Sequence, residues 1–262
     1  LRHTSSGRSG TPLDVWVTLI LHTEALDIIT HLMQEVWRQE LVPAAWTITH
    51  VLALYKKLDP KLPKNYRLIF IEEHLSKLFQ KLLVQHLDDH FEGFAPEFSN
   101  GFRRKRGCIG ALFLLKGILR KRKEHGLETW LLFLDIKSAF DRVPRELLWW
   151  SLQVCGVDPK LIRVLQALYR DRKGELNIDG AAHTMRVSGG TCQGALVAPR
   201  LFSYYLYVIL EIWMADNSSA LSTIFYAEEA RAGAESGAPI IKTKVENMKS
   251  MFNCLFNVAD DT

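Results

Sequence analysis

Between Trp130 and Leu134, five consecutive apolar residues lead directly into the carboxylate of Asp135. A short unbroken apolar run suits a strand covered on both faces, where side chains pointing up and down both meet protein. An acid closing such a strand sits where the sheet opens to solvent, fixed in position and able to face a cation. The stretch Leu221–Tyr226 repeats the pattern and ends in Ala227-Glu228-Glu229. Two strand ends carrying Asp135, Glu228 and Glu229 are expected to converge on two divalent metals about 4 Å apart, a geometry suited to displacement at phosphorus.

At 262 residues and 48% hydrophobic, the chain is long enough to bury a substantial core, more readily as two closely joined lobes than as one sphere. The net charge of +4 excludes little. Its distribution is more informative. From Arg103 to Lys123 stand Arg103, Arg104, Lys105, Arg106, Lys116, Arg120, Lys121, Arg122 and Lys123, with no acid among them. Such a run is either a phosphate-binding surface or a solvated helix face. Cys108, Cys155, Cys192 and Cys254 are widely spaced, without a Cys-x-x-Cys pair. That argues against a zinc site or a disulfide framework and fits an intracellular protein, nuclear or cytoplasmic. No stretch reaches the roughly 18 apolar residues a membrane span needs, so no membrane partner is expected. With leucine first and no signal pattern, the chain reads as an internal piece of a longer protein.

Taken in order, residues 1–23 read as disordered or irregular at the start, Leu1 to Gly10 being small and polar. Helical spacing predicts a helix over Glu24 to Glu40, and β-branched content a strand over Trp46 to Leu54. A second strand, Tyr66 to Ile71, completes a hairpin whose tip carries Lys56, Lys57, Lys61 and Lys64, with Arg67 inside the strand. Arginine forks match phosphate oxygens, so this tip is a candidate cover for a triphosphate, the alternative being a merely soluble loop. A helix is predicted from Glu72 to Phe91, with His86 packed on its apolar side. Another spans Ile109 to His125, apolar on one side and basic at its end. Pro144 opens a helix ending near Cys155 with Gly156 as cap, and Asp158-Pro159 starts the next. Glu175–Ile178 and His183–Val187 flank Asp179-Gly180, a hairpin signal. A loop, Gly189 to Gly194, leads into a long helix from Pro199 to Met214, and Pro239 to Phe256 reads as a last helix. Without regular β-α alternation, the class is α+β with a mixed or antiparallel sheet of the split β-α-β kind.

The chain resembles the polymerase domain of reverse transcriptases, nearest to the group encoded by non-LTR retrotransposons. The motifs that carry the resemblance are Lys64-Asn65-Tyr66-Arg67, Ser99-Asn100-Gly101-Phe102-Arg103, Leu134-Asp135-Ile136-Lys137-Ser138-Ala139-Phe140-Asp141, Gly190-Thr191-Cys192-Gln193-Gly194 with Pro199-x-Leu201-Phe202, and Tyr226-Ala227-Glu228-Glu229. They stand in the family's order from about Trp46 to Asn253. The resemblance implies a fingers subdomain over 24–128, a palm over 129–238 with its end at 239–262, and a thumb missing or truncated. It implies two Mg2+ (or Mn2+) ions held by Asp135, the carbonyl of Ile136, Glu228 and Glu229. Arg67, Ile136, Phe140, Gln193 and Gly194 would bind the nucleotide, Phe140 rejecting a ribose 2′-hydroxyl. Arg103, Arg104, Lys105 and Arg106 would contact nucleic acid. The implied partners are an RNA template, a DNA primer and dNTPs.

Several positions depart from the family pattern. Glutamates replace both hairpin aspartates, Cys192 stands where a basic residue usually precedes Gln-Gly, Leu68 where proline follows Tyr-Arg, and Ser99 where glutamine begins the Gly-Phe-Arg motif. A longer side chain can displace a carboxylate by about 1 Å, a shift able to cost roughly 100-fold in rate. A weakened polymerase, a catalytically dead nucleic-acid binder and a nonfunctional remnant are therefore three distinct expectations. Val258-Ala259-Asp260-Asp261 is a rival for the hairpin. Glu228 follows Gln193 at nearer the family's interval, and Asp260, so near the last residue given, is not expected to be completed by a returning strand.

Overall fold

The computed structural model describes residues 6–96, 99–131, 133, 135–178 and 180–216. Residues up to Ser203 form one compact unit, and those from Tyr204 belong to a second. The first unit is α+β, built on a four-stranded mixed sheet in the order β2-β1-β3-β4. Strand β1 (Ile48–Tyr55) pairs antiparallel with β2 (Tyr66–Ile71) on one side and parallel with β3 (Lys173–Ile178) on the other. Strand β4 (Ala181–Arg186) closes the β3 hairpin. Gly180, at φ 83°, takes the left-handed turn conformation that glycine adopts without strain.

The helices of this unit are α1 (Leu13–Ile20), α2 (Thr23–Gln39), α3 (Ala44–Thr47), α4 (His74–Glu92), α5 (Cys108–Glu124), α6 (Arg145–Val154) and α7 (Pro159–Tyr169), and α8 (Ala198–Asp216) begins in it and continues into the second. The core joins α4, α6 and α7 through Phe79, Leu83, Leu87, Leu148, Leu152, Val164 and Leu165, with Val51 and Phe70 from the sheet. The caps are local and specific. Asp158 Oδ1 accepts from the N–H groups of Lys160 and Leu161 at 2.7 Å and 3.3 Å, satisfying donors that a helix start leaves without partners. Gly156, at φ 79°, ends α6. Its N–H bonds Gln153 O at 2.9 Å and that of Val157 bonds Leu152 O at 3.0 Å, closing the last turn on a left-handed residue. Pro144 is the residue just before the helix rather than its first turn.

Beneath the sheet runs a buried polar chain. Arg172 pairs with Glu72, whose other oxygen accepts from Gln80 at 2.6 Å, and Gln80 Oε1 accepts from Val197 N at 3.4 Å. This chain ties the end of β2, the start of β3, α4 and the approach to α8.

Three features differ from the sequence expectation. Helix α1 lies in the segment expected to be irregular, and Ser9 donates from both N and Oγ to Glu73 at 2.7 Å. His86 is exposed, because the buried face of α4 runs through Phe79, Leu83 and Leu87. Helix α5 forms as expected but buries none of its residues. No single described helix is long and apolar enough to cross a membrane.

Candidate nucleotide site

Strand β2 holds Arg67 on an exposed position opposite Leu54, at the mouth of the β1–β2 hairpin. The tip beyond it is ordered by its own side chains. Tyr66 Oη donates to Pro60 O at 2.9 Å, Asn65 Nδ2 to Asp59 O at 2.7 Å, and Tyr55 Oη to Leu58 O. Lys56, Lys57, Lys61 and Lys64 are exposed on this braced tip.

The loop from Gly189 to Gly194 docks on two surfaces at once. On one side the Phe70 N–H donates to Gln193 O at 2.8 Å. Gly194 has φ 108°, and a β-carbon there would collide with Phe70 O. Only glycine lets the loop sit this close to β2. On the other side Thr191 N donates to Phe140 O at 2.9 Å and Gly190 N to Val143 O at 3.1 Å. A β-carbon on Gly190 would meet Phe140 O at 2.7 Å. From below, Arg145 donates to Gly190 O at 3.3 Å and Gly189 O at 3.4 Å, while Tyr169 Oη donates to Thr191 O at 2.9 Å.

This docking gathers four sequence-predicted residues: Arg67, Phe140, Gln193 and Gly194. Gln193 Nε2 donates to the Asp141 carboxylate at 3.2 Å and 3.4 Å. Although Asp141 lies at the surface, crowding by protein pushes its carboxyl above the ordinary range. The charges of Lys56 and Arg67 and the Gln193 hydrogen bond pull it back, each favouring the ionised form. Two cations and a carboxamide thus share one neighbourhood with backbone held by glycine. Cationic forks and N–H donors of this kind suit a phosphate-bearing ligand. The Phe140 ring is pinned nearby, stacked on Phe202 at 4.8 Å and edge-on to Phe102 at 6.1 Å.

The acid side is arranged differently from expectation. Asp135 and Ile136 are exposed, and neither they nor the described residues of the apolar run lie in a strand. Trp130 is 86% exposed and Phe133 78%. A doubly covered strand needs partners on its edges, and no described strand pairs with this run. The expected partner, Leu221–Tyr226, lies outside the described residues, as do Glu228 and Glu229. After Ile136 the chain turns, with Ser138 at φ 53° and its carbonyl accepting from Asp141 N and Arg142 N at 3.0 Å and 3.1 Å. Among the described residues no three His, Cys, Asp or Glu side chains converge as metal ligands. The one described carboxylate of the expected set, Asp135, is a hard oxygen donor of the type magnesium takes.

The basic run divides. Arg103 points inward: its guanidinium bonds Glu92 at 2.7 Å and the carbonyls of Pro96 and Ser99 at 2.8 Å and 3.2 Å. That engagement corrects its assignment to a nucleic-acid surface. Arg104 is exposed but faces Asp89 at 3.4 Å and Asp88 at 3.8 Å, and Lys105 is exposed at φ 58°. Arg106 is half-buried.

Sequence reasoning missed the supports of this site. Arg200, the unassigned residue of the Pro199-x-Leu201 motif, is buried, bonding Asp88 at 2.5 Å and Phe102 O at 2.9 Å. Asp141 ends a quoted motif yet carried no assigned role. Cys192 is 2% exposed, with φ 54°. Burial pushes its thiol up while Arg172 and Arg145 pull it down. A lysine or arginine there would bury a third cation beside two others, which accounts for a neutral side chain at this position.

The profile described as "Reverse transcriptase (RNA-dependent DNA polymerase)" matches residues 55–253. A Pol polyprotein from the type-1 retrotransposable element R2 of Popillia japonica is 25% identical over 171 residues, covering 64% of this chain and 24% of that protein. The RNA-directed DNA polymerase of the mobile element jockey from Drosophila melanogaster is 24% identical over 198 residues, 74% of this chain and 21% of its own length. The group II intron-encoded protein LtrA of Lactococcus lactis is 27% identical over 147 residues, 56% of this chain and 23% of that protein. The chain thus spans between a fifth and a quarter of these curated relatives.

Proposed function

The chain belongs to the reverse transcriptase (RNA-dependent DNA polymerase) family, and from that premise we propose that it extends a primer 3′-hydroxyl with dNTPs on an RNA or DNA template. The observation that supports this best is the docking of Gln193-Gly194 between Phe70 of β2 and the Phe140–Asp141 turn, within the charge field of Arg67 and Lys56. In this reading Arg67 and Lys56 hold the triphosphate, and the braced hairpin tip lies over it. Phe140, stacked on Phe202 and edge-on to Phe102, is placed to form a wall against a 2′-hydroxyl.

Asp135, the Ile136 carbonyl, Glu228 and Glu229 would hold two magnesium or manganese ions. When bound, such ions neutralise charge on the phosphates and acidify the attacking hydroxyl. Arg104 and Lys105 remain outward for template or primer phosphates, and the fingers and palm take the spans 24–128 and 129–238.

Primer extension on an RNA template with Mg2+ or Mn2+ tests the reading. Extension that disappears with Asp135→Asn supports it, and Phe140→Ala should admit ribonucleotides. The glutamate pair favours a second reading, a nucleic-acid binder without turnover. It predicts no extension by the native chain, salt-sensitive binding to a primer–template, and recovery of extension after Glu228→Asp with Glu229→Asp. No extension by either chain, with no binding, overturns both.

A further inference from the structure

We propose that the cavity between α1 and α4 binds an aliphatic carboxylate, a ligand unrelated to nucleotide chemistry. The cavity measures about 560 Å³, within the range of small-molecule sites. Leu13, Ile20, Leu78 and Leu196 supply apolar wall. None of its lining residues belongs to the nucleotide site.

Two of its polar atoms lack partners: the Trp16 Nε1 and His74 Nε2 atoms are buried without a hydrogen-bond partner among the described residues, and both side chains line the cavity. His74 itself is only 8% exposed. An indole N–H can only donate, and a buried donor left unmade is costly, so the wall is built for an acceptor. Lys77 and Lys81 add two cations to the same wall, one helical turn apart on α4 and so on one face. No acidic side chain lines it. Donors and positive charge around an otherwise apolar space select a chain of CH₂ groups ending in an oxyanion. A cationic amphiphile would leave the lysines and the indole unanswered.

The test uses the full chain and laurate below its micellar concentration, followed by calorimetry and by the Trp16 indole N–H resonance, assigned through its loss in Trp16→Phe. The expected result is saturable binding of one laurate, a downfield shift of that resonance, and binding weakened about ten-fold or more by Lys77→Gln with Lys81→Gln, the size of a lost charge-assisted hydrogen bond. Dodecylammonium should not compete. Equal binding of laurate and dodecylammonium, unchanged affinity in the lysine variant, or no saturable binding would each overturn the proposal. Circular dichroism confirms that each variant is folded. Should Trp16→Phe fail to fold, the lysine variant and the cation control decide alone.

Discussion

The Gly189–Gly194 loop and the Leu127–Ile136 segment make an instructive pair. The loop is polar, glycine-rich and short of apolar side chains, yet it is tightly bound: Phe70, Phe140, Val143, Arg145 and Tyr169 all bond to it. The segment is among the most apolar in the chain, yet Leu127, Trp130, Leu131, Phe133 and Ile136 are all exposed. Hydrophobicity measures what a residue gains if a partner arrives. It does not supply the partner. The loop's partners are β2, the turn from Ser138 to Val143, α6 and α7, all in the same unit, whereas the strand expected to pair with the segment lies outside the described residues.

The largest effect expected from this contrast lies under the loop. Glu72→Ala leaves Arg172 buried and unpaired beside Tyr169, which should cost about 3–5 kcal/mol in urea unfolding. A loss near zero would mean that the buried pair does not organise the packed region. Next, Gly194→Ala forces a side chain into Phe70 O at left-handed φ, for about 1–3 kcal/mol. The Phe70 amide should then lose its protection from hydrogen exchange, while amides of α7 keep theirs.

Two carboxyls should separate by pH. Glu92 is held below its ordinary 4.5, first by its hydrogen bond to Arg103. Its contribution to stability is therefore complete above 4.5 and is lost as pH falls through the lowered value. Asp141 is shifted the other way, raised from 3.8 by desolvation, so its charged form opposes folding once pH rises above that ordinary value. Asp141→Asn should stabilise at neutral pH and be silent in acid, and Glu92→Gln should destabilise at neutral pH with the difference shrinking in acid. Urea midpoints across that range check both signs. The smallest effect belongs to the exposed side, on α5, where Phe113 is 77% exposed. Phe113→Ser should change stability by no more than about 0.5 kcal/mol. A larger loss would show that the α5 face is covered in solution.

What was readable in the sequence follows from range. Caps and turns act over a few residues, so Asp158, Gly156 and the hairpin turning at Gly180 were legible, and β2 appears with the bounds its pattern suggested. Arg67, Phe140, Gln193 and Gly194 sit in motifs that name them, and the fold brings those motifs into one neighbourhood. Their supports were not legible. Arg145, Arg172 and Glu72 act across 100 residues of chain in the case of the buried pair, and no local pattern marks a charge destined for the interior. Helix α1 was missed because it is only eight residues long and follows a small, polar start. His86 misled for the converse reason, lying one position from the buried stripe of α4.

Arg103 shows how an inward guanidinium would distort a mutational survey. Each basic side chain that meets a duplex phosphate deepens the salt dependence of binding by about 0.9 in logarithmic slope. Arg103 has its guanidinium taken up by Glu92, Pro96 and Ser99. R103A should therefore lower the folded fraction and leave that slope where it was, so a titration at one ionic strength would credit a brace with being a contact.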